Sequence, residues 1–360
     1  MNAELIGALE QLEHERGISK EILLQAIEQA LVSAYRRNFG SAQNVRVHVD
    51  RETGDIKVYA QKTVVETVTD PRLEISLEEA RTKDPSVQPG DVFEIEVQHR
   101  DFGRIAAQTA KQVVVQRIRE AERGIVYEEF SSREGDIVSG QVARQDRATR
   151  TVFVDLGKNV EGILLAQEQI PGEKLVEGQT IKAYVIDVKK TSKGPTISLS
   201  RTHPGLLRRL FELEVPEIHD GIVEVKAIAR EAGARSKIAV YSRVENVDPI
   251  GSCVGPRGMR VQNIVNELQG EKIDIVKWDP DPAVFVANAL SPARVVSVDV
   301  DEAARIARVV VPDYQLSLAI GKEGQNARLA AKLTGWKIDI RSESQARSGY
   351  WGSPEGERQV

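Results

Sequence analysis

Apolar residues recur at helical spacing near the start of the chain. They return every three or four positions over residues 5–12 and again over residues 22–34, which predicts two amphipathic helices. Alternating residues on either side of a Glu-Thr-Gly turn predict a β-hairpin over residues 45–59. A strand and then a long helix at about 105–123 are predicted to follow. We therefore expect a separate α+β domain over residues 1–125.

Residues 132–202 show a different pattern, with short runs of β-branched residues separated by glycine-containing turns. Five short strands over about 70 residues predict a small closed β-barrel. Three phrases, at 134–140, 153–157 and 197–201, resemble the OB-fold RNA-binding module of the ribosomal S-one type. We predict the strands at 137–143, 151–156, 160–165, 180–188 and 196–200.

Phe153 is the residue of this barrel with a candidate role in base recognition. Modules of this type present aromatic side chains on which successive bases stack. From the sequence, Phe153 is either such a stacking platform or part of the barrel core, and both interpretations stay open. The segment Ile163-Leu164-Leu165-Ala166 stands where such modules usually carry a histidine, which argues against tight RNA binding by the barrel alone.

The C-terminal part of the chain contains an internal repeat. Each copy has a short glycine loop, Gly255-Pro256-Arg257-Gly258 in the first and Gly321-Lys322-Glu323-Gly324 in the second. Each loop is followed by a helix-like run and then by the tetrapeptide Lys-Ile-Asp-Ile, at 272–275 and at 337–340. Upstream, each copy predicts a helix, two β-branched strands and a short helix. This order of elements is that of a bacterial-type (type II) KH domain.

The repeat therefore predicts two tandem KH domains, over residues 203–279 and 280–343. The joint between them, near Asp279–Asp281, contains no Gly/Ser-rich stretch, so we expect the two domains to hold a fixed relation and form one continuous surface. The remaining residues, 344–360, are polar and rich in Gly and Ser, and we expect a disordered tail.

A G-x-x-G loop between two helices is suited to a nucleic-acid backbone. The glycines remove Cβ atoms that would keep a phosphate away, and the following helix presents unpaired N–H groups and the positive end of its dipole. In KH domains such a loop clamps about four nucleotides of single-stranded RNA. We predict an RNA-binding set made of the two loops, the polar residues that follow them, one basic strand residue and the barrel aromatic. The set is Gly255, Pro256, Arg257, Gly258, Arg260, Gln262, Asn263, Gly321, Lys322, Glu323, Gly324, Gln325, Asn326, Arg328, Lys237 and Phe153.

Overall charge does not favour indiscriminate binding of nucleic acid. The 360 residues carry 49 Lys and Arg against 54 Asp and Glu, a net charge of −5. Residues 204–341 hold 19 basic and 19 acidic side chains, so even the predicted RNA-binding part is neutral. Contact with RNA must therefore come from local placement of charge, as at Arg257 and Lys322.

Composition limits the class of protein and gives no sign of catalysis. No run approaches the ~18 apolar residues of a membrane span, and the first residues lack the features of a secretory signal, so we expect a cytoplasmic protein. We also expect a monomer. The single cysteine, Cys253, excludes an internal disulfide and a cysteine-rich zinc site, and we expect it to be buried as a small hydrophobe. The five histidines are scattered, and no phosphate loop or nucleophile turn is present. We predict no catalytic residue, no metal and no cofactor.

The order of the three kinds of domain, together with four longer phrases, resembles the NusA family of bacterial transcription elongation and antitermination factors. The phrases are Asp101–Val113, Arg235–Val240, Asp248–Arg260 and Ala319–Trp336. The resemblance implies an N-terminal domain that docks on core RNA polymerase near the RNA exit channel, and a barrel and KH domains that carry nascent single-stranded RNA. It implies modulation of pausing, termination and antitermination, with other Nus factors as partners. The basic residues expected to face the polymerase or an RNA hairpin are Arg36, Arg37, Arg104 and Lys111.

Three alternatives remain open at this point. The basic residues of the N-terminal domain are also consistent with an ordinary solvated helix face. Phosphorolytic ribonucleases combine the same RNA-binding modules, and so do ribosome-associated factors. One departure from the family also matters, because Glu323 stands where a second basic residue is common, and we expect the second loop to contribute less than the first.

Overall fold

The chain divides after Val126 into two units, each with a hydrophobic core of its own. The computed structural model describes residues 2–39, 44–98, 102–158 and 160–348. None of the helices in this part of the chain is long and apolar enough to cross a membrane.

The amphipathic periods near the start of the chain form α1 (Asn2–Arg16) and α2 (Lys20–Phe39), as predicted. The hairpin is also confirmed, since β1 (Asn44–Val49) pairs antiparallel with β2 (Ile56–Val65). Leucine and isoleucine side chains of α2 pack on the valines of β1 and form the main core of this unit. The hydrophobic spacing therefore predicted both helices and most of the face that α2 buries, although Ile22 is 57% exposed and Leu24 is buried instead.

The second half of β2 organises a smaller sheet region. It pairs antiparallel with β4 (Val92–Glu96) and parallel with β3 (Glu74–Ser76). A short helix, α3 (Leu77–Lys83), follows β3 and begins at Ser76, whose hydroxyl accepts a hydrogen bond from the Glu79 N–H. A small separate core around Val64 and Ile75 lies beneath these elements.

The long helix is longer than the sequence predicts. α4 runs from Phe102 to Ser131 and passes from the first unit into the second, whereas the apolar period predicts an end near Arg123. Gly124 lies inside it and does not end it, because a single glycine in a helix costs only about 1 kcal/mol. In the last turns, the Lys190 ammonium lies 4.4 Å from the ring centre of Tyr127, and Phe130 is buried. The last turns of the helix, from Tyr127 onward, thus pack within the second unit.

The predicted barrel is closed. Its five strands follow the order β5-β6-β7-β9-β8 around the barrel, and their valine, isoleucine and leucine side chains point inward. The strands are β5 (Ile137–Gln145), β6 (Val152–Asp155), β7 (Glu161–Leu164), β8 (Thr180–Thr191) and β9 (Gly194–Ser200).

Both predicted KH units are present, each as a three-stranded sheet with helices. In each sheet the first two strands are antiparallel and the third runs parallel to the second, in equivalent registers. The first unit consists of α5 (Pro204–Glu214), α6 (Pro216–His219), β10 (Val223–Glu231), β11 (Arg235–Ser242), α7 (Pro249–Val254), α8 (Met259–Glu267) and β12 (Lys272–Lys277). The second consists of α9 (Pro282–Ala289), β13 (Ser297–Asp301), β14 (Ile306–Val311), α10 (Leu316–Ile320), α11 (Gln325–Thr334) and β15 (Lys337–Ser342).

Shared cores join the barrel and the two KH units. Ile170 of the barrel belongs to the core of the first KH unit. Ala229, Ala239 and Val276, from the sheet of the first KH unit, belong to the core of the second. The expected fixed relation between the KH units therefore rests on a continuous apolar interface in addition to the short joint.

The C-terminal end differs from the expectation of disorder from residue 344. Residues 343–347 form a short helix, α12 (Glu343–Arg347), which starts with a capping box between Ser342 and Gln345. Ser344 also donates hydrogen bonds to Asp313 from its N–H and its hydroxyl. The rest of the predicted tail, residues 349–360, lies outside the described residues.

Candidate nucleic-acid interface

The two glycine loops have the same backbone conformation. Gly255 and Gly321 have φ/ψ of 74°/175° and 79°/171°, and the closing Gly258 and Gly324 have 74°/14° and 72°/13°. The third residue of each loop is also left-handed, with φ of 54° at both Arg257 and Glu323. A left-handed non-glycine residue costs roughly 1–2 kcal/mol. That both copies adopt this conformation indicates that the loop shape is constrained.

The two glycines of each loop have different roles. A Cβ at Gly255 would lie 2.6 Å from Cγ of Arg260, and a Cβ at Gly321 would lie 2.8 Å from the backbone N of Asn326. The first glycine is therefore required by packing within the protein. A Cβ at Gly258 or Gly324 would meet nothing within 4 Å, so the second glycine leaves an open approach.

The residue two positions after each loop braces it from behind. In the first KH unit Arg260 donates to the Ser252 carbonyl at 2.6 Å and to Glu217 at 2.8 Å. In the second, the buried Asn326 amide donates to the carbonyls of Leu318, Ala319 and Leu290. Both were predicted to contact RNA. The structure instead places both side chains against the preceding helix, where they fix the loop.

Arg257 and Lys322 are the basic loop residues, and the charge of each faces solvent. Both are exposed, and neither has a hydrogen bond or ion pair within the described residues. Helices α8 and α11 start directly after the loops, at Gly258 and Gly324, without a side-chain cap on their first N–H groups. The first N–H of each helix, at Met259 and at Gln325, donates to a carbonyl of the loop itself. What each loop offers to a phosphate is therefore a free cation beside the positive end of a helix dipole.

The other predicted polar contacts are engaged within the protein. Gln262 donates to Asn266, and Asn263 donates to Glu214, both at the surface. In the second KH unit Gln325 and Arg328 both donate to Glu231, which lies at the end of β10 in the first KH unit.

Arg328 connects the first KH unit to the second loop. Its Nε lies 2.6 Å from Glu231 Oε1, and its Nη1 donates to the Glu323 carbonyl at 3.1 Å. The hydrogen bond from Arg328 holds the pKa of Glu231 below its usual range. Arg328 is therefore an inter-unit bridge, which sequence reasoning missed because Glu231 is distant in sequence and carries no motif.

Lys237 does not contact solvent, contrary to the prediction that it binds RNA. It is fully buried on the central strand β11, 3.0 Å from Asp274 and 2.6 Å from the Ser291 carbonyl. Burial lowers the pKa of Lys237, although the Asp274 carboxylate opposes this. Burial also acts to raise the pKa of Asp274, but hydrogen bonds from Arg235 and Lys237 outweigh it and hold that pKa low. This ion pair belongs to the joint between the KH units.

Phe153 lies on the outside of the barrel. On β6 the buried residues are Val152 and Val154, and Phe153 between them is only partly buried. The Arg144 guanidinium carbon stands 3.5 Å from the centre of its ring, and Arg144 also pairs with Glu161 at 3.1 Å. Of the two interpretations left open by the sequence, the core position is therefore wrong. The ring is an outer surface with a cation stacked on it.

A buried ionic cluster fixes the barrel to the first KH unit. Arg201, at the end of the barrel, is 1% exposed and binds the buried carboxylate of Glu173 through Nε and Nη2. The same guanidinium donates to the Glu267 carbonyl at 2.9 Å. Glu267 ends α8, the helix that starts at the first glycine loop. Arg201 therefore ties the far end of the loop helix to the barrel.

In the N-terminal unit the predicted basic residues lie on two adjoining helix ends. The end of α2, which carries Arg36 and Arg37, meets the start of α4, which carries Arg104: the rings of Phe39 and Phe102 have their centres 6.2 Å apart. Lys111 follows Arg104 by two helical turns and lines a groove of about 980 Å³ between α1, β2 and α4. All four side chains are exposed, and none is paired within the described residues.

The described residues offer little chemistry of another kind. They contain no group of three or more His, Cys, Asp or Glu side chains that could hold a metal ion. Cys253 is fully buried, and burial raises the pKa of its thiol to about 12, so it is not a nucleophile at neutral pH. The expectation that Cys253 is a buried hydrophobe is confirmed.

Comparison with known protein families matches every domain. The sequence model of the NusA N-terminal domain matches residues 4–124, that of the S1 RNA-binding domain residues 131–200, and those of the NusA-like first and second KH domains residues 201–278 and 282–348. The transcription termination/antitermination protein NusA of Halalkalibacterium halodurans is 64% identical over 347 residues, which are 96% of this chain and 90% of that protein. The chain belongs to the NusA family.

Other NusA proteins agree over the same length. That of Bacillus subtilis is 63% identical over 96% of this chain and 93% of its own, and that of Thermus thermophilus is 46% identical over 94% and 89%. Among solved structures, the solution structure of the N-terminal domain of NusA from B. subtilis is 65% identical, covers 34% of this chain and 99% of that chain, and has a TM-score of 0.32. The fold class expected from the sequence is confirmed for a NusA chain, with an N-terminal α+β domain, an OB barrel and two KH domains.

Proposed function

We propose that this chain is an RNA-binding transcription factor without catalytic activity. In this proposal it binds core RNA polymerase and nascent single-stranded RNA, and so modulates elongation, pausing, termination and antitermination. It acts in the cytoplasm as a monomer, together with other Nus factors. The name shared by its relatives, transcription termination/antitermination protein NusA, supports the biological role.

The paired glycine loops carry the RNA-binding part of the proposal. Two loops with one backbone conformation each present an unpaired cation, Arg257 or Lys322, beside a helix N-terminus that no side chain caps. Phosphates of a single strand are the ligands that this geometry fits. Within the second loop, the exposed Glu323 stands next to Lys322 and offsets its charge, so we expect the first loop to bind more strongly.

Aspartate at the open glycines tests this clamp. Asp and Asn both tolerate the left-handed backbone at Gly258 and Gly324, and neither meets a clash there. We expect the full-length Gly258→Asp/Gly324→Asp protein to bind a single-stranded RNA at least about tenfold more weakly, because carboxylates repel phosphates. The matched control is Gly258→Asn/Gly324→Asn, which has the same shape without the charge. Equal affinity of the Asp and Asn proteins in fluorescence anisotropy would contradict a phosphate clamp.

The exposed basic residues of the N-terminal unit are our proposed polymerase-facing and hairpin-facing surface. They are Arg36, Arg37, Arg104 and Lys111. A fragment ending at residue 125 would cut α4 six residues before its end at Ser131, so full-length variants are the better test. We expect Arg104→Glu/Lys111→Glu to lose co-purification with core polymerase, and Arg117→Glu on the same helix to retain it. Association of the unmodified protein with ribosomal subunits in place of polymerase, or phosphate-dependent degradation of RNA, would refute the proposed function.

A further inference from the structure

The two KH units differ on the helix that leads into each glycine loop. In the second KH unit, the turn Asp313–Gln315 carries Tyr314, which is 79% exposed, and α10 carries Leu318, which is 44% exposed. The equivalent positions of the first KH unit, 66 residues earlier, are Asp248 and Ser252. Among the described residues no other large hydrophobic side chain is as exposed as Tyr314. The segment before the loop therefore presents large apolar side chains at these positions in the second KH unit and small polar or acidic ones in the first.

The segment that carries Tyr314 is held on both sides. Asp313 accepts hydrogen bonds from the N–H and hydroxyl of Ser344, at 3.2 and 2.7 Å. Gln315 accepts a hydrogen bond from the Arg294 N–H at 3.0 Å. The side chains on both sides of Tyr314 are thus anchored, while the ring between them projects into solvent. A tyrosine has only two side-chain torsions, so a ring on a fixed backbone binds at a low entropic cost.

The apolar surface is continuous with the second glycine loop. Tyr314 and Leu318 are four residues apart, which places them on one face of the helical segment. Leu318 lies one turn before Gly321, and its carbonyl is held by Asn326 behind the loop. Tyr314 precedes Gly321 by seven residues, a rise of about 10 Å along a helix.

We propose that Tyr314, flanked by Leu318, is a base-stacking platform for a nucleotide next to those held at the second loop. The proposal rests on the proposed RNA-binding function and gives the two loops different chemistry. At the first loop Arg257 attracts phosphate through charge. At the second, Glu323 offsets Lys322, and stacking on an aromatic ring supplies affinity that does not depend on charge.

The test measures the affinity of full-length variants for a fluorescein-labelled mixed-sequence single-stranded RNA over a range of salt concentrations. We expect Tyr314→Ala to bind at least about fivefold more weakly with an unchanged slope of log K against log salt, and Tyr314→Phe to bind like the unmodified protein. Lys322→Gln should instead reduce the slope by about 0.7, as expected for one phosphate contact on a single strand. Val92→Ala, a truncation at a residue that is 62% exposed in the N-terminal unit, is the control and should change nothing.

Three outcomes overturn the platform. The first is an RNA affinity of Tyr314→Ala equal to that of the unmodified protein. The second is an equal loss of affinity in Tyr314→Phe. The third is a change in the slope of log K against log salt in Tyr314→Ala. Loss of core polymerase with RNA affinity retained would mean that the surface docks a protein. If the Gly258→Asp/Gly324→Asp protein also binds RNA normally, the proposed function itself fails. If only Tyr314→Ala binds normally, the platform alone is wrong.

Discussion

Arg201 offers a sharp test of how the barrel and the first KH unit are held together. Replacing it with methionine keeps most of the side-chain volume and removes the guanidinium. That group donates to both oxygens of Glu173, and to the carbonyls of Lys182 and Glu267. The side chains of Arg201 and Glu173 are 1% and 0% exposed, so water cannot replace these donors in the folded state.

The expected loss follows from the charge that is left behind. Arg201→Met strands the carboxylate of Glu173 in a site without a cation or solvent, and breaking one side of a buried ion pair costs about 3–5 kcal/mol. Removing both charges avoids this penalty. We therefore expect Arg201→Met/Glu173→Gln to recover more than half of the lost free energy of unfolding.

Urea unfolding followed by tryptophan fluorescence measures this effect in the full-length protein. Two of the three tryptophans, Trp278 and Trp336, lie in the KH units, so the change in their fluorescence reports unfolding of the part of the chain after Val126. Lys158→Met is the matched control, because Lys158 lies on the same barrel and its side chain, which pairs with Glu129 of α4, is 74% exposed. We expect it to cost less than about 1 kcal/mol.

Two results would refute the reasoning about this joint. In the first, Arg201→Met costs no more than Lys158→Met, which would mean that the cluster is hydrated in solution. In the second, Arg201→Met/Glu173→Gln is no more stable than Arg201→Met, which would mean that the loss comes from packing and not from the stranded carboxylate.

Two further predictions concern the KH units. Gly321→Ala should lower the free energy of unfolding by at least about 1 kcal/mol more than Gly324→Ala, since only the former places a Cβ against the backbone of Asn326; equal losses in urea would contradict this. Asp274→Asn leaves Lys237 buried without its partner and should cost about 3–5 kcal/mol at pH 7. Because the pKa of Asp274 is lowered in the folded protein, its contribution to stability is present above the ordinary value of 3.8 and is lost as pH falls through the folded value. The free energies of unfolding of Asp274→Asn and the unmodified protein should therefore converge below that pH. A difference that stays constant with pH would argue against the ion pair.

Much of the fold follows from local sequence patterns. The helical periods near the start, the five barrel runs and the repeated order of the KH elements each predicted an element that the structure contains. The loop conformation is also local, because glycines at both ends of a short turn permit a left-handed backbone that other residues avoid. Element ends were less predictable, as with α4, whose last turns carry Tyr127 against Lys190 of the barrel and the buried Phe130.

The sequence by itself thus determined where the two loops are and what they resemble, and tertiary structure decided which side chains there are free. Arg257, Arg260, Arg328 and Lys237 all read as available cations. In the folded chain only Arg257 of these four is available to a ligand, because the other three are paired with carboxylates as far as 97 residues away. The physical reason is that backbone conformation depends on neighbours along the chain, whereas the charge a ligand meets depends on which opposite charges the fold brings close.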